Sequence, residues 1–166
     1  MQPAPKLVVR KPRTITRLVI HRIKVSHVGY TDDASGIAAF FARHPEGIKA
    51  TGGRMAYHFV VRKDGIVEQA VDIETSAPHA RAYNGSSIGV AVIGDFTRER
   101  PTEAQLWGLM RCLSKLHALY PKAVIVSHDS LPGGSTDPDK RCPGPYVDVH
   151  AIARAVEAIG LVQTSG

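Results

Sequence analysis

Arg17-Leu18-Val19-Ile20-His21 decides the fold class, because the stretch is apolar on both alternating faces and ends on a histidine. A strand with one wet face alternates apolar and polar; one covered on both faces does not, which is the habit of parallel strands in an α/β sheet. Ile88 to Ile93, closed by Gly94-Asp95, and Ala123 to Ser127 read the same way. Ser35 to Arg43, with Ile37, Phe40 and Phe41, predicts a short helix. It should end before His44-Pro45, since the residue preceding a proline avoids the helical region. Thr51-Gly52-Gly53 reads as a loop. Tyr57 to Arg62 and Ile66 to Gln69 flank Lys63-Asp64-Gly65, a hairpin signal because glycine accepts positive φ. After Pro101, Thr102 and Gln105 form a capping-box pattern. Leu106, Leu109, Met110, Leu113, Leu116 and Tyr120 then recur at helical spacing until Pro121 stops the run. Leu131 to Pro145 is a loop rich in Gly, Pro and Asp. Asp148 is placed to cap a last helix that buries Ile152, Ala155, Val156 and Ile159, with Gly160 as its expected stop. Strands alternating with helices, plus one hairpin, predict an α/β single domain: a central mixed β-sheet flanked by helices.

The chain's 166 residues suit one compact unit with a core that needs no staples. Its 43% apolar and 22% charged content excludes a wholly disordered chain. No apolar run approaches the ~18 residues that a membrane-spanning helix needs. Two cysteines, Cys112 and Cys142, exclude a disulfide-rich scaffold. Met1 to Arg13 has no continuous apolar core, so no secretory signal is expected and synthesis in the cytoplasm is. The net charge of +6 is uneven: residues 1–31 carry seven cations and no acid, while the other 135 carry 14 basic and 15 acidic side chains. The expected organisation is therefore a basic arm over 1–15, a nearly neutral body over 16–160 and a tail over 161–166. A basic arm suits nucleic acid, anionic lipid or an anionic envelope polymer, and equally a solvated tail.

Three residues lie where elements end. His21 closes the first strand, on one face with Val19; His128 follows the Ala123 to Ser127 strand, on one face with Val124 and Val126. Cys142 follows His128 by 14 residues, in the long loop. Open α/β sheets form their sites at strand ends, where loops leave room for ligand. Two imidazoles and a thiolate are natural Zn²⁺ ligands, and a fourth position left to water makes such a site catalytic. On spacing alone a strand-end histidine is more often a satisfied surface or core residue, so the metal site stays one of two readings at this point.

Five ordered pieces carry a resemblance: Ile20-His21, Ala56 to Val61, Ile88 to Gly94, Val126 to Asp129, and Asp137 to Gly144. In that order and at those separations the chain resembles the zinc-dependent N-acetylmuramoyl-L-alanine amidases, which include amidase-type phage lysozymes and peptidoglycan recognition proteins. The resemblance implies His21, His128 and Cys142 as ligands of one Zn²⁺, and Tyr57 and Lys140 as catalytic residues beside it. It implies that Pro78-His79 and Asn84 to Gly89 line the substrate groove, with His79 and Asn84 as binding residues. The implied reaction is hydrolysis of the amide between N-acetylmuramic acid and L-alanine in bacterial peptidoglycan, by a monomeric phage or prophage endolysin that reaches the cell wall after release. The basic arm would hold it to anionic envelope polymers.

Residue chemistry agrees with those roles. Amide hydrolysis needs an activated water and a stabilised oxyanion, and an ammonium at Lys140 places positive charge where negative charge develops. Tyr57 would orient the water or donate to the oxyanion; it reads otherwise as a half-buried strand aromatic. His58, on the opposite sheet face from Tyr57, reads as structural, and Cys112 as a small buried residue of the helix. The chain departs from the family where Asp129-Ser130 follow His128, where Leu131 to Thr136 lengthen the loop, and at Arg22-Ile23-Lys24, expected to narrow the groove or face the carboxylates of the substrate. Two rival readings are a peptidoglycan-recognition module without catalysis and a regulator using the basic arm on protein or nucleic acid; a pure binder has no use for Cys142, Tyr57 and Lys140 together.

Overall fold

Strand β4 (Ser87–Ile93) is buried at every residue and forms the middle of the sheet. In a computed structural model describing residues 13–24 and 29–165, it lies between β1 (Arg17–Ile23) and β2 (Phe59–Val61), parallel to both. β5 (Val124–Ser127) adds to the far side of β1 in parallel, and β3 (Val67–Gln69) pairs antiparallel with β2, giving the order β3-β2-β4-β1-β5. The sheet is mixed, as the two-sided apolar strands and the single hairpin imply. Gly65, with φ of 82°, makes the hairpin turn, and its amide donates to the Arg62 carbonyl.

The helices follow from their caps. α1 (Ala34–Arg43) starts on Asp33, whose carboxylate accepts from the Gly36 amide. His44-Pro45 ends α1 as expected, but a second helix, α2 (Pro45–Thr51), begins at once where none was expected. Proline at the first position of a helix loses no hydrogen bond, and His44 Nδ1 accepts from the Glu46 amide. α3 (Glu103–Leu119) has the full capping box: the Gln105 amide donates to Thr102 Oγ1, and the Thr102 amide to Gln105 Oε1. α4 (Val149–Thr164) is capped by Asp148, which accepts from the Ala151 amide, and it runs through Gly160. Gly160 is no stop because nothing forces it into the left-handed conformation that ends a helix.

α3 and α4 cover one face of the sheet, where Leu18, Ile20, Ile88, Val90 and Val92 meet Leu109, Leu113, Ile152 and Val156. On the other face Ile37 and Phe41 of α1 pack with Tyr57, Val60, Ala91 and Ile93. That second face carries His21. Beside it β4 contributes Gly89 and Ala91, and the missing Cβ of Gly89 leaves room for the His79 ring above the sheet.

The described residues ahead of 16 are packed onto the body from Arg13 onward. Ile15 is buried, and the Arg13 guanidinium donates to the carbonyls of Ile73, Thr75, Asn84 and Ser87 at 2.6–2.9 Å. The remainder of the arm, with Lys6, Arg10 and Lys11, lies outside the described residues, as does His27. Among the described residues no helix is long and apolar enough to cross a membrane.

Candidate metal and catalytic centre

β1 passes His21 and continues to Ile23, so the histidine does not end its strand. On the β5 side, however, pairing stops at Ile20–Ser127, and there His21 is the first residue beyond the ladder. A short 3-10 turn, His128–Ser130, leaves the end of β5 and sets the His128 ring 4.5 Å from the His21 ring, centroid to centroid. The loop that follows returns Cys142 to the same point. Nδ1 or Nε2 of each histidine and Cys142 Sγ all lie within 4.8 Å of one another, the group of three among the described residues able to hold a metal ion.

That donor set fits zinc. Zinc–nitrogen and zinc–sulfur bonds of about 2.0 and 2.3 Å at a tetrahedral angle put N and S about 3.5 Å apart. His21 Nδ1 and Cys142 Sγ are 3.7 Å apart. Burial holds both His21 and His128 below the ordinary histidine range, so they are neutral, the form that ligates. Burial also pushes the Cys142 thiol up to about 11, against the pull of the Arg22 backbone amide. At neutral pH a neighbouring cation is therefore needed to make it a thiolate.

Two residues hold the cysteine in place. The Arg22 amide donates to Cys142 Sγ at 3.3 Å, while its guanidinium donates to the carbonyls of Arg141 and Asp139 and pairs with Asp95. Arg22 is thus committed to clamping the loop, and neither narrows a groove nor faces ligand as its sequence position suggested. Asp129 ties the same loop from the other side. Its carboxylate accepts from Ser127 Oγ and from Arg141 Nε, and its amide donates to the Cys142 carbonyl. Leu131, from the lengthened loop, is buried against Val19 and Ala80.

Tyr57 lies two residues before β2, its ring 5.1 Å from His21 and 5.9 Å from Phe41. Burial, reinforced by the Cys142 sulfur, raises its hydroxyl well above the usual range and keeps it protonated. Lys140 ends the 3-10 turn Pro138–Lys140 and is exposed, with its ammonium 3.4 Å from Asp137. The structure thus brings His21, His128, Cys142 and Tyr57 together, and leaves Lys140 exposed and turned to Asp137.

His79 is buried, and Asn84 is half-exposed. His79 is 6% exposed and sits behind His21, with its Nδ1 2.9 Å from His21 Nε2. The Asn84 side chain accepts from the Ala80 amide, and its carbonyl accepts from Arg13. Both brace the loop between β3 and β4. His58 is fully buried: Nδ1 accepts from the Gly89 amide and Nε2 donates to the Thr75 carbonyl. A groove of about 710 Å³ lies between the ends of α3 and α4, lined by Pro121, Val124 and Ile159, and holds none of this chemistry.

A family model described as N-acetylmuramoyl-L-alanine amidase matches residues 11–145. The endolysin of Enterobacteria phage K11 is 35% identical over 82 residues, 46% of this chain and 54% of that protein. The chain thus spans about half the length of the curated relatives it matches. Among solved structures, N-acetylmuramoyl-L-alanine amidase LysC from Clostridium intestinale URNW superposes with a TM-score of 0.66 at 21% identity, over 87% of this chain and 86% of that one. The Ph2119 endolysin of Thermus scotoductus MAT2119 bacteriophage gives 0.66 at 22%, over the same shares. At those identities the likeness is one of fold.

Proposed function

The chain belongs to the N-acetylmuramoyl-L-alanine amidase family, and from that premise we propose that it hydrolyses the amide between N-acetylmuramic acid and L-alanine in peptidoglycan, with one Zn²⁺ held by His21, His128 and Cys142. The observation that carries this reading is the convergence of those three donors beside Tyr57 at one end of the parallel strands. Zinc in that place supplies Lewis acidity to the amide carbonyl and to water. His21 and His128 bind as neutral bases, and Cys142 releases its proton on binding, lending one negative charge that tempers the site.

The protein's own groups do the rest. The Tyr57 hydroxyl, kept protonated by burial, donates a hydrogen bond toward the oxygen that gains charge as the amide carbon becomes tetrahedral. Lys140 swings from Asp137, a contact between exposed groups that costs little to break, and brings its ammonium to the same side. In the cell the substrate is the wall, and the cations of residues 1–12 hold the enzyme to its anionic polymers. The family's endolysins suggest a phage or prophage origin and release to the wall from the cytoplasm.

Three variants test the assignment with purified protein and soluble muropeptides. Cys142→Ala is expected to lose zinc, turnover and melting temperature together, because a metal that binds only the native state stabilises it. Tyr57→Phe and Lys140→Ala are expected to keep zinc and lose on the order of 10²–10³ in rate. Parent protein that binds zinc and muropeptide without turnover identifies a recognition module instead. Retention of zinc by Cys142→Ala moves the metal site elsewhere.

A further inference from the structure

His79 is a buried histidine that the reaction does not use, yet both of its ring nitrogens have partners. Ser87 Oγ lies 2.6 Å from the Tyr83 carbonyl and 3.2 Å from His79 Nε2. A carbonyl only accepts, so the single hydroxyl proton of Ser87 points at Tyr83. Ser87 Oγ must then accept from His79, which puts the proton of the neutral ring on Nε2 and leaves Nδ1 bare. His79 Nδ1 is 2.9 Å from His21 Nε2. His21 therefore donates, carries its own proton on Nε2, and presents a bare Nδ1 at 3.7 Å from Cys142 Sγ. The reverse order fails at its far end, because Ser87 would need two protons to satisfy Tyr83 and His79 at once.

We propose that Tyr83, Ser87 and His79 form a positioning relay that fixes the tautomer and ring orientation of His21, with His79 as its central member. The inference rests on the reading of His21 as a metal ligand. Backbone anchors the relay at one end, and the ring stands on a prepared floor: a Cβ at Gly89 would come within 2.6 Å of His79 Cγ. Ligating histidines are ordinarily oriented by a carboxylate, a carbonyl or water. A neutral imidazole orients as well and adds no negative charge to a site that already has a thiolate.

The test combines zinc affinity with ring tautomers on the full chain. Competition against a chromophoric chelator should show Ser87→Ala and His79→Ala binding zinc 10- to 100-fold more weakly than the parent. His79→Asn, whose side-chain oxygen takes the place of the Nδ1 acceptor, should recover most of the loss. Nitrogen-15 spectra of the parent should place one proton on Nε2 of each ring and show coupling across the His21 Nε2–H to His79 Nδ1 bond. Parent-like zinc affinity in both alanine variants, or a proton on His79 Nδ1, overturns the relay. If the parent itself binds no zinc, the ligand reading falls, and the relay is decided by the same spectra: Nε2–H on both rings supports it and any other tautomer refutes it.

Discussion

At the scale of single residues, burial decides which histidines can take a proton. His58 is enclosed beneath the Arg13 guanidinium and the Gly89 amide, and burial pushes it down to about 4. The unfolded chain protonates the same ring near 6.5, so below that pH the unfolded state gains protons that the folded state refuses. Stability contributed by His58 is complete above pH 6.5 and lost progressively as pH falls toward 4, with a slope of at most about 1.4 kcal/mol per pH unit. Urea unfolding at pH 7 and at pH 4.5, with chelator present at both so that metal release adds nothing, should show the summed drop from His58 and from His21, His79 and His128, which burial lowers in the same direction. A flat profile would mean that these histidines are protonated inside the fold. The same scale shows what sequence reading reaches. His21, His128 and Cys142 are legible as candidates because their chemistry is in their type, while grouping them took the resemblance to the family. His79 was expected in the groove and lies behind His21, on the space left by Gly89, where an added Cβ would come within 2.6 Å of the His79 ring. That glycine within an apolar strand was the available signal. Arg22 misleads for a related reason: its partners, Asp95 and the carbonyls at 139 and 141, come from segments more than 70 residues away.

At the scale of elements, local rules succeed where the deciding atoms are local. The capping box of α3 and the Asp148 cap of α4 are in the sequence because side chain and amide are three residues apart. α2 is absent from the sequence reading because proline at 45 stops one helix and starts the next, and pattern alone reports the stop. Gly160 was expected to end α4 but lies within it, where an added Cβ meets its nearest atom, His117 Nδ1, at 3.8 Å. Gly160→Ala should therefore raise stability by about 0.5–1 kcal/mol, the helix-interior difference between the two residues. Thermal unfolding measures it; a loss instead would mean that the last turn of α4 is not helical in solution.

At the scale of the whole molecule, residues 1–12 carry three cations and no acid, half of the net charge of +6, and the described contacts begin at Arg13. Removing residues 1–12 takes away Lys6, Arg10 and Lys11 and none of the described contacts. The shortened protein should fold, bind zinc and cleave soluble muropeptides like the parent, while losing rate on whole cell walls at low salt. Screening shortens electrostatic reach to about 8 Å at physiological ionic strength, so the gap should close as salt rises. Equal wall activity at every ionic strength would make the segment passive. Arg13→Ala should behave differently: it strands the carbonyls of Ile73, Thr75, Asn84 and Ser87 and costs on the order of 2–3 kcal/mol. Denaturant midpoints for the two variants separate a charge carrier from a structural tie.

The centre of the account is one bond in the wall, and chemical labelling of new amino groups in purified peptidoglycan reads it most directly. Incubation with the zinc-loaded protein should expose amino-terminal L-alanine, with no new reducing sugar ends, and a chelator should abolish the release. Reducing ends without L-alanine amines, or L-alanine amines produced equally with the metal stripped away, would contradict it.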